Sequence, residues 1–262
     1  MSHDAQVMFA AREKLYALLI AATHSSGRAW LEASAAAAKD AADPVDTLLR
    51  LFPAARRQLG AGRLTTPEQG IETADGMVRL GAWSPGDAGR SILLLDAVQR
   101  GDGAELVTAV YHAGDESERT SITRTLSLLG CGAELKPLAL QSGRTNSSVM
   151  FAALALDNPF PAAHYSDHKF NQLVLKSLFI GLPIEPIVGL DVRANANLSR
   201  MCEDYFDERT AAGRTVPADI WLALAPHASE RGLRLLREHL EHENTAHRFY
   251  AAQALKNNDT GN

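Results

Sequence analysis

Cysteine is scarce in this chain of 262 residues: there are two, Cys131 and Cys202. They stand far apart, and neither has a second cysteine at metal-ligand spacing, so both read as small buried apolar residues. The chain also lacks a surplus of positive charge. Its 26 basic residues are mixed among 31 acidic ones, for a formal charge of -5. No basic stripe follows the chain, which argues against nucleic acid as a partner. Long hydrophobic runs are missing as well. The longest, "AWLEASAAAA" and "ILLLDAV", fall short of the roughly 20 residues that span a bilayer. The opening "MSHDAQVMFAAREKLYALLIAA" scatters Asp4, Arg12, Glu13 and Lys14 among its apolar residues instead of setting a basic stretch before a clean apolar one. The expectation is a soluble protein in a reducing, cytoplasmic setting, not membrane-spanning.

The common catalytic signatures are absent too. The sequence holds no G-x-x-x-x-G-K, no G-x-S-x-G and no H-E-x-x-H, and "GCGAEL" has two glycines where a dinucleotide turn wants three. An ATPase, an α/β-hydrolase and a Rossmann enzyme are set aside on these grounds, and no cofactor or metal is expected.

What is present is helical punctuation. A proline followed two residues later by an acid or amide occurs at Pro44, Pro67, Pro85, Pro183 and Pro217. Proline suits the first helical position, where its missing N–H would have no partner, and the acid faces the positive end of the helix dipole. Five helix starts are predicted. Between them apolar residues recur at helical spacing: Leu15, Leu18, Leu19 and Ala22; Ile92, Leu95 and Val98; Phe170, Leu173, Val174 and Leu178; Met201, Tyr205 and Phe206. The last pair of helices carries Leu233, Leu236 and Leu240, then Ala246, Phe249 and Tyr250. No alternating strand exceeds the weak "GMVRLGAW". The fold is predicted all-α: an irregular α/α superhelix of antiparallel, HEAT-like helix pairs, or alternatively a compact helical bundle. Pairs are drawn at Ser84 to Gly114, Asp115 to Leu156 and Ser229 to Leu255, the last turning at Glu243-Asn244.

Three polar groups compete as sites. In "NPFPAAHYSDHKFNQLVLKSLFIGLPIEP" the segments Asn158-Pro159 and Phe160-Pro161 are expected to hold the chain extended. Ser166 or Asp167 then caps a helix to Phe179 that Gly181 closes. This puts His164 before the helix, so its spacing from Asp167 and His168 stops being a ligand argument. His239, His242 and His247 are weighed against a metal site with the same result, His239 and His242 falling in the last turn of a helix as partners of its dipole. The third group is Asn171, Gln172 and Lys176, with Arg193, Asn195, Arg200, Asp204, Glu208 and Arg209 further on. Asn171 borders the buried stripe and must find a partner, Asn195 can cap the next helix, and Arg200 pairs with Asp204 at i,i+4. Across two helices these residues could line a ligand or partner surface.

Here the chain resembles the EboA family. The match lies in a Pro-Phe-Pro segment ending at Pro161; Phe170, Asn171, Gln172, Val174, Leu175 and Lys176; Arg193 and Asn195; Glu208 and Arg209; Gly213, Pro217 and Trp221. The family has Met at the place of Leu173. The resemblance is strong over residues 158–222, while before about residue 80 only general helical character agrees. It implies an EboA region at 63–262, continuous with an N-terminal helical segment at 1–62. It also implies a place in a secondary-metabolite cluster, beside a prenyltransferase-like membrane protein and hydrolase-like and isomerase-like enzymes, in moving precursors. It brings no catalytic residue. The leading expectation is a non-catalytic helical-repeat protein that binds a partner protein of its cluster, a membrane protein among the candidates, or a small metabolite. The alternative is an enzyme with a cleft between the Phe170 helix and the Arg193–Arg209 helix, using Lys176 and Asp204 or Glu208 as acid and base.

Overall fold

The structure, a computed structural model, describes residues 3–64, 70–98 and 103–260. Helices account for nearly all of its regular structure, so the protein is all-α. It divides into two compact units, Met1–His164 and Tyr165–Asn262.

The first unit contains α1 (His3–Ala22), α2 (Ser25–Asp40), α3 (Pro44–Leu59), the strands β1 (Gly70–Thr73) and β2 (Gly76–Arg79), then α4 (Pro85–Val98), α5 (Gly103–Ala113), α6 (Glu116–Thr125), α7 (Gly132–Ser142), α8 (Ser148–Ala155) and α9 (Phe160–His164). Every residue of α4 is buried, and α1, α2, α3, α5 and α6 pack around it. Its start follows the expected chemistry: the Ser84 Oγ accepts from the Asp87 N–H at 3.1 Å while the Asp87 Oδ2 accepts from the Ser84 N–H at 2.8 Å. Asp43 caps α3 with Pro44 in its first turn, and Asp115 and Glu118 close a reciprocal capping box on α6. The stripe of α1 runs through Met8, Ala11, Leu15 and Leu19, whereas Ala22 is exposed.

Pro67 lies outside the described residues, which resume at Gly70 in a strand. β1 and β2 pair antiparallel with Thr73 opposite Gly76, so Ala74 and Asp75 make a two-residue turn. "GMVRLGAW" therefore does contain a strand. Its partner "GIET" is too short to show alternation, though Ile71 and Val78 form a buried cross-strand pair. Phe160-Pro161 corrects another expectation, since the segment opens α9 instead of staying extended. In a first turn, a proline's missing N–H leaves no bond unmade.

The second unit contains α10 (Asp167–Ile180), α11 (Leu190–Arg193), α12 (Ala196–Ala211), α13 (Trp221–Leu224), α14 (Glu230–Glu238) and α15 (Thr245–Thr260). Ser166 caps α10, and Gly181 ends it in the left-handed conformation at φ 76°. Pro183 starts no helix: Pro186 follows too closely, and the Ile184 N–H is held by the Asp219 carboxylate at 2.7 Å. Pro217 opens only a short 3-10 turn, Ala218–Ile220, leading into α13. The inward face of α15 is His247, Ala251 and Ala254 rather than Ala246, Phe249 and Tyr250, and Phe249 is exposed. Small alanines at four- and three-residue steps let this helix lie close against its neighbours. Cys202 is buried, Cys131 is half-buried at the start of α7, and both are free thiols.

Candidate functional site

The polar residues singled out in the second unit separate into three situations. Asn171 is fully buried on α10 and exchanges two side-chain hydrogen bonds with Asn195, at 3.1 and 3.0 Å. The Asn195 Oδ1 also accepts from the Leu198 N–H at 3.0 Å, capping α12. The amide pair thus fixes the start of one helix on the flank of another, and its donors and acceptors are used there. Arg193 joins this group. Its guanidinium lies 5.0 Å from the Phe170 ring centroid and donates to the Tyr165 carbonyl and, at 2.7 Å, to the Asp167 carboxylate.

The remaining residues lie apart from it. Gln172 is exposed and accepts from the Lys169 ammonium. Arg200 and Asp204 form the expected i,i+4 pair at 3.3 Å, each about two-thirds exposed. Glu208 is exposed, and Arg209 donates twice to the Thr215 carbonyl. Lys176 is half-buried, and burial holds its pKa below the ordinary value.

His164, Asp167 and His168 go three ways. The His164 Nε2 meets the Asp75 Oδ1 at 2.8 Å, Asp167 turns to Arg193, and His168 is exposed. The His164–Asp75 pair borders a cavity of about 180 Å³ that Ser127 also lines. The Ser127 hydroxyl is buried with no hydrogen-bond partner among the described residues. Gly132 is required beside it, because a Cβ there would collide with the imidazole.

The distal histidines do gather, around Trp221. His239 stacks on His242 at 4.9 Å, His247 lies 4.6 Å from His242, and the Trp221 indole N–H donates to the His247 Nδ1 at 3.1 Å. The His239 Nδ1 donates to the Leu235 carbonyl, and the His242 Nδ1 accepts from the Asn244 N–H. Burial and the neighbouring imidazoles hold the pKa of His247 below its ordinary value; burial does the same for His239, with His242 adding to it. The cluster packs the His239 and His247 rings against the Trp221 indole. Among the described residues, no group of three or more His, Cys, Asp or Glu is arranged to hold a metal ion.

A cavity of about 420 Å³ in the first unit went unnoticed at the level of sequence. Four arginines, Arg56, Arg63, Arg90 and Arg124, line it against two carboxylates, Asp87 and Glu116. Asp87 is saturated: it accepts from Arg124 at 2.7 Å, from the Ser121 hydroxyl at 2.6 Å and from both groups of Ser84 at 2.8 Å. Glu116 accepts from the Ser147 hydroxyl. Arg90, only 4% exposed, donates through Nε to the Phe52 carbonyl and through Nη1 to Ser117 and Ser121. Burial lowers its pKa, yet an arginine so anchored stays charged.

Arg56 and Arg63 are exposed, and their guanidinium groups make no hydrogen bond or ion pair among the described residues. Glycine brings Arg56 to the rim, since a Cβ on Gly86 would stand 2.9 Å from the Arg56 Cα and force α3 away from α4. Trp83 and Arg124 also line a smaller cavity of about 70 Å³ beside it, near the left-handed residue Asp157.

One sequence signal pointed here. In "PGDAGRSILLLDAV" Asp87 and Arg90 interrupt a helix with no polar face, so both had to be buried with partners.

These features define an all-helical protein with a basic cavity in its first unit, walled in part by the Asp87–Arg90 network, and a polar framework around Asn171, Asn195 and Arg193 in its second. The chain belongs to the EboA family, described as "Metabolite traffic protein EboA", whose model matches residues 11–225. The match extends well upstream of the strong block at 158–222 and takes in the whole basic cavity, while His239, His242 and His247 fall beyond it. No curated protein and no solved structure matches the chain. No helix among the described residues is long and apolar enough to cross a membrane.

Proposed function

We propose that this protein is a non-catalytic binding protein that takes up a small metabolite in the basic cavity of its first unit and releases it to the next component of a trafficking or precursor-processing route. The observation that carries this reading is the cavity itself. Its volume of about 420 Å³ falls within the usual range for ligand sites, and two of its arginines are fixed in advance, Arg90 by Ser117 and Ser121 and Arg124 by Asp87. Pre-organised groups bind without having to be ordered by the ligand. The family description as a metabolite traffic protein points the same way.

The enzyme reading draws less support. It required Lys176 and Asp204 or Glu208 to converge, but Asp204 is paired with Arg200 in solvent and Glu208 is exposed. A partner protein of the same cluster remains a second reading, favoured by the exposed Phe179, Val192 and Phe249 of the second unit. A polar substitution of each, Phe179→Ser, Val192→Ser and Phe249→Ser, then abolishes capture of that partner and leaves metabolite binding intact.

The test of the main reading is native mass spectrometry of the full chain purified from its host, followed by small-molecule extraction. Val149, 58% exposed where it lines the cavity, gives the control. The wild-type protein is expected to carry a small molecule that Val149→Trp displaces. A protein that carries none, or one whose ligand ignores Val149→Trp, contradicts the reading.

A further inference from the structure

We infer that the metabolite bears a phosphate group, held at the mouth of the basic cavity by Arg56, Arg63 and Arg124, with Arg90 behind them. This rests on the proposed metabolite-binding role and names its ligand class. The first ground is charge. Among the described residues that line the cavity, four arginines face two carboxylates, and a phosphate monoester carries a charge of about -2 at neutral pH. Asp87 is committed to Arg124, Ser84 and Ser121, and among the described residues neither it nor Glu116 is paired with Arg56 or Arg63.

The second ground is donor supply. Arg56 lies on α3, Arg63 on the chain after it, Arg90 on α4 and Arg124 on α6, so donors reach the cavity from four places. Of the five N–H groups on Arg124, the bond to Asp87 occupies one. The Ser117 hydroxyl accepts from Arg90 at 2.9 Å and keeps its own proton to donate. A compact group with three acceptor oxygens uses such divergent donors better than a planar carboxylate with two.

The third ground is apolar accommodation. Trp83 and Val149 line the cavity together with its basic groups, and the adjoining space of about 70 Å³ behind Trp83 and Arg124 includes Val78, Ala152, Ala153 and Leu156. An ester with a small apolar body fits this arrangement better than inorganic phosphate does.

Phenyl phosphate is the probe, titrated calorimetrically into the full chain at two salt concentrations. Binding is expected to weaken with salt, and to weaken as pH falls through about 6, where a phosphate monoester loses its second charge. Arg56→Glu and Arg63→Glu are each expected to cost about tenfold or more in affinity. Both sites are exposed, so thermal melting is expected to stay unchanged. Vesicles of phosphatidylcholine with phosphatidic acid form the second arm. Binding of phenyl phosphate identifies a free ester, whereas binding of the vesicles alone, lost in the double variant that combines Arg56→Glu with Arg63→Glu, assigns the phosphate to a lipid headgroup.

Failure of both anionic probes, equal binding by the double variant, or preference for succinate over phenyl phosphate would overturn the inference. If one of these occurs while Val149→Trp still displaces a co-purified molecule, only the phosphate assignment falls; if nothing is displaced, the binding role falls with it.

Discussion

Among the described residues, Arg56 and Arg63 of the first unit line a cavity with no carboxylate paired to either, whereas Arg193, Arg200, Arg209 and Arg231 of the second unit are each committed to a neighbour. The buried groups differ in what they border, not in whether they are paired. In the second unit Asn171 meets Asn195, Asp219 meets the Ile184 N–H, and the Glu203 carboxylate accepts from both the N–H and the hydroxyl of Ser229. In the first unit the buried Asp87 and Arg90 are also satisfied, but their network forms one wall of an open space. A dense cluster of polar residues in sequence marks a framework as readily as a site. What distinguishes a site is charge left over after the framework's bonds are made.

Substitutions can break this comparison in order of size. Asp87→Ala removes the partner of Arg124 and the acceptor for Ser84 and Ser121. Leaving buried charge unpaired costs about 3–5 kcal/mol, so chemical denaturation should show the largest loss there. Asn171→Ala, at a fully buried site, removes both side-chain bonds to Asn195 and leaves one Asn195 N–H without its acceptor, and is expected to cost about 1–3 kcal/mol, with no change in ligand affinity.

A smaller effect comes from acid. His239 and His247 have folded pKa values below their ordinary 6.5, so the unfolded chain binds protons more readily than the folded one. Their contribution to stability is full above about pH 6.5 and is lost as pH falls through the lowered folded values. Denaturation midpoints measured from pH 7.5 downward should show this decline, and His247→Gln should flatten it. Arg200→Ala breaks only an exposed pair and is expected to change stability by less than about 0.5 kcal/mol; a larger loss would mean that the second unit's surface charges do more than solvate it.

Much of the framework was legible from sequence because it is local. Ser166, Asp43 and Asn195 act on amides three residues ahead, and Gly181 closes its helix in the left-handed conformation. The failures were cases where a second constraint overrode a local one: Pro186 and Asp219 at Pro183, and the four-residue length of β1. The amide of Asn171 announced its need for a partner, and the Arg200–Asp204 pair was visible in its spacing.

The basic cavity was not legible. Arg56, Arg63, Arg90 and Arg124 are drawn from across the first unit and brought together by packing around α4, which no periodicity encodes. Only Asp87 and Arg90, charged within an otherwise buried helix, hinted at it.

Hydrogen exchange of the full chain with and without saturating phenyl phosphate tests the contrast between the two units most directly. Slowed exchange is predicted in residues 84–90 and 116–124, with no change in residues 167–176 or 195–209. Protection confined to the latter two segments would contradict the account.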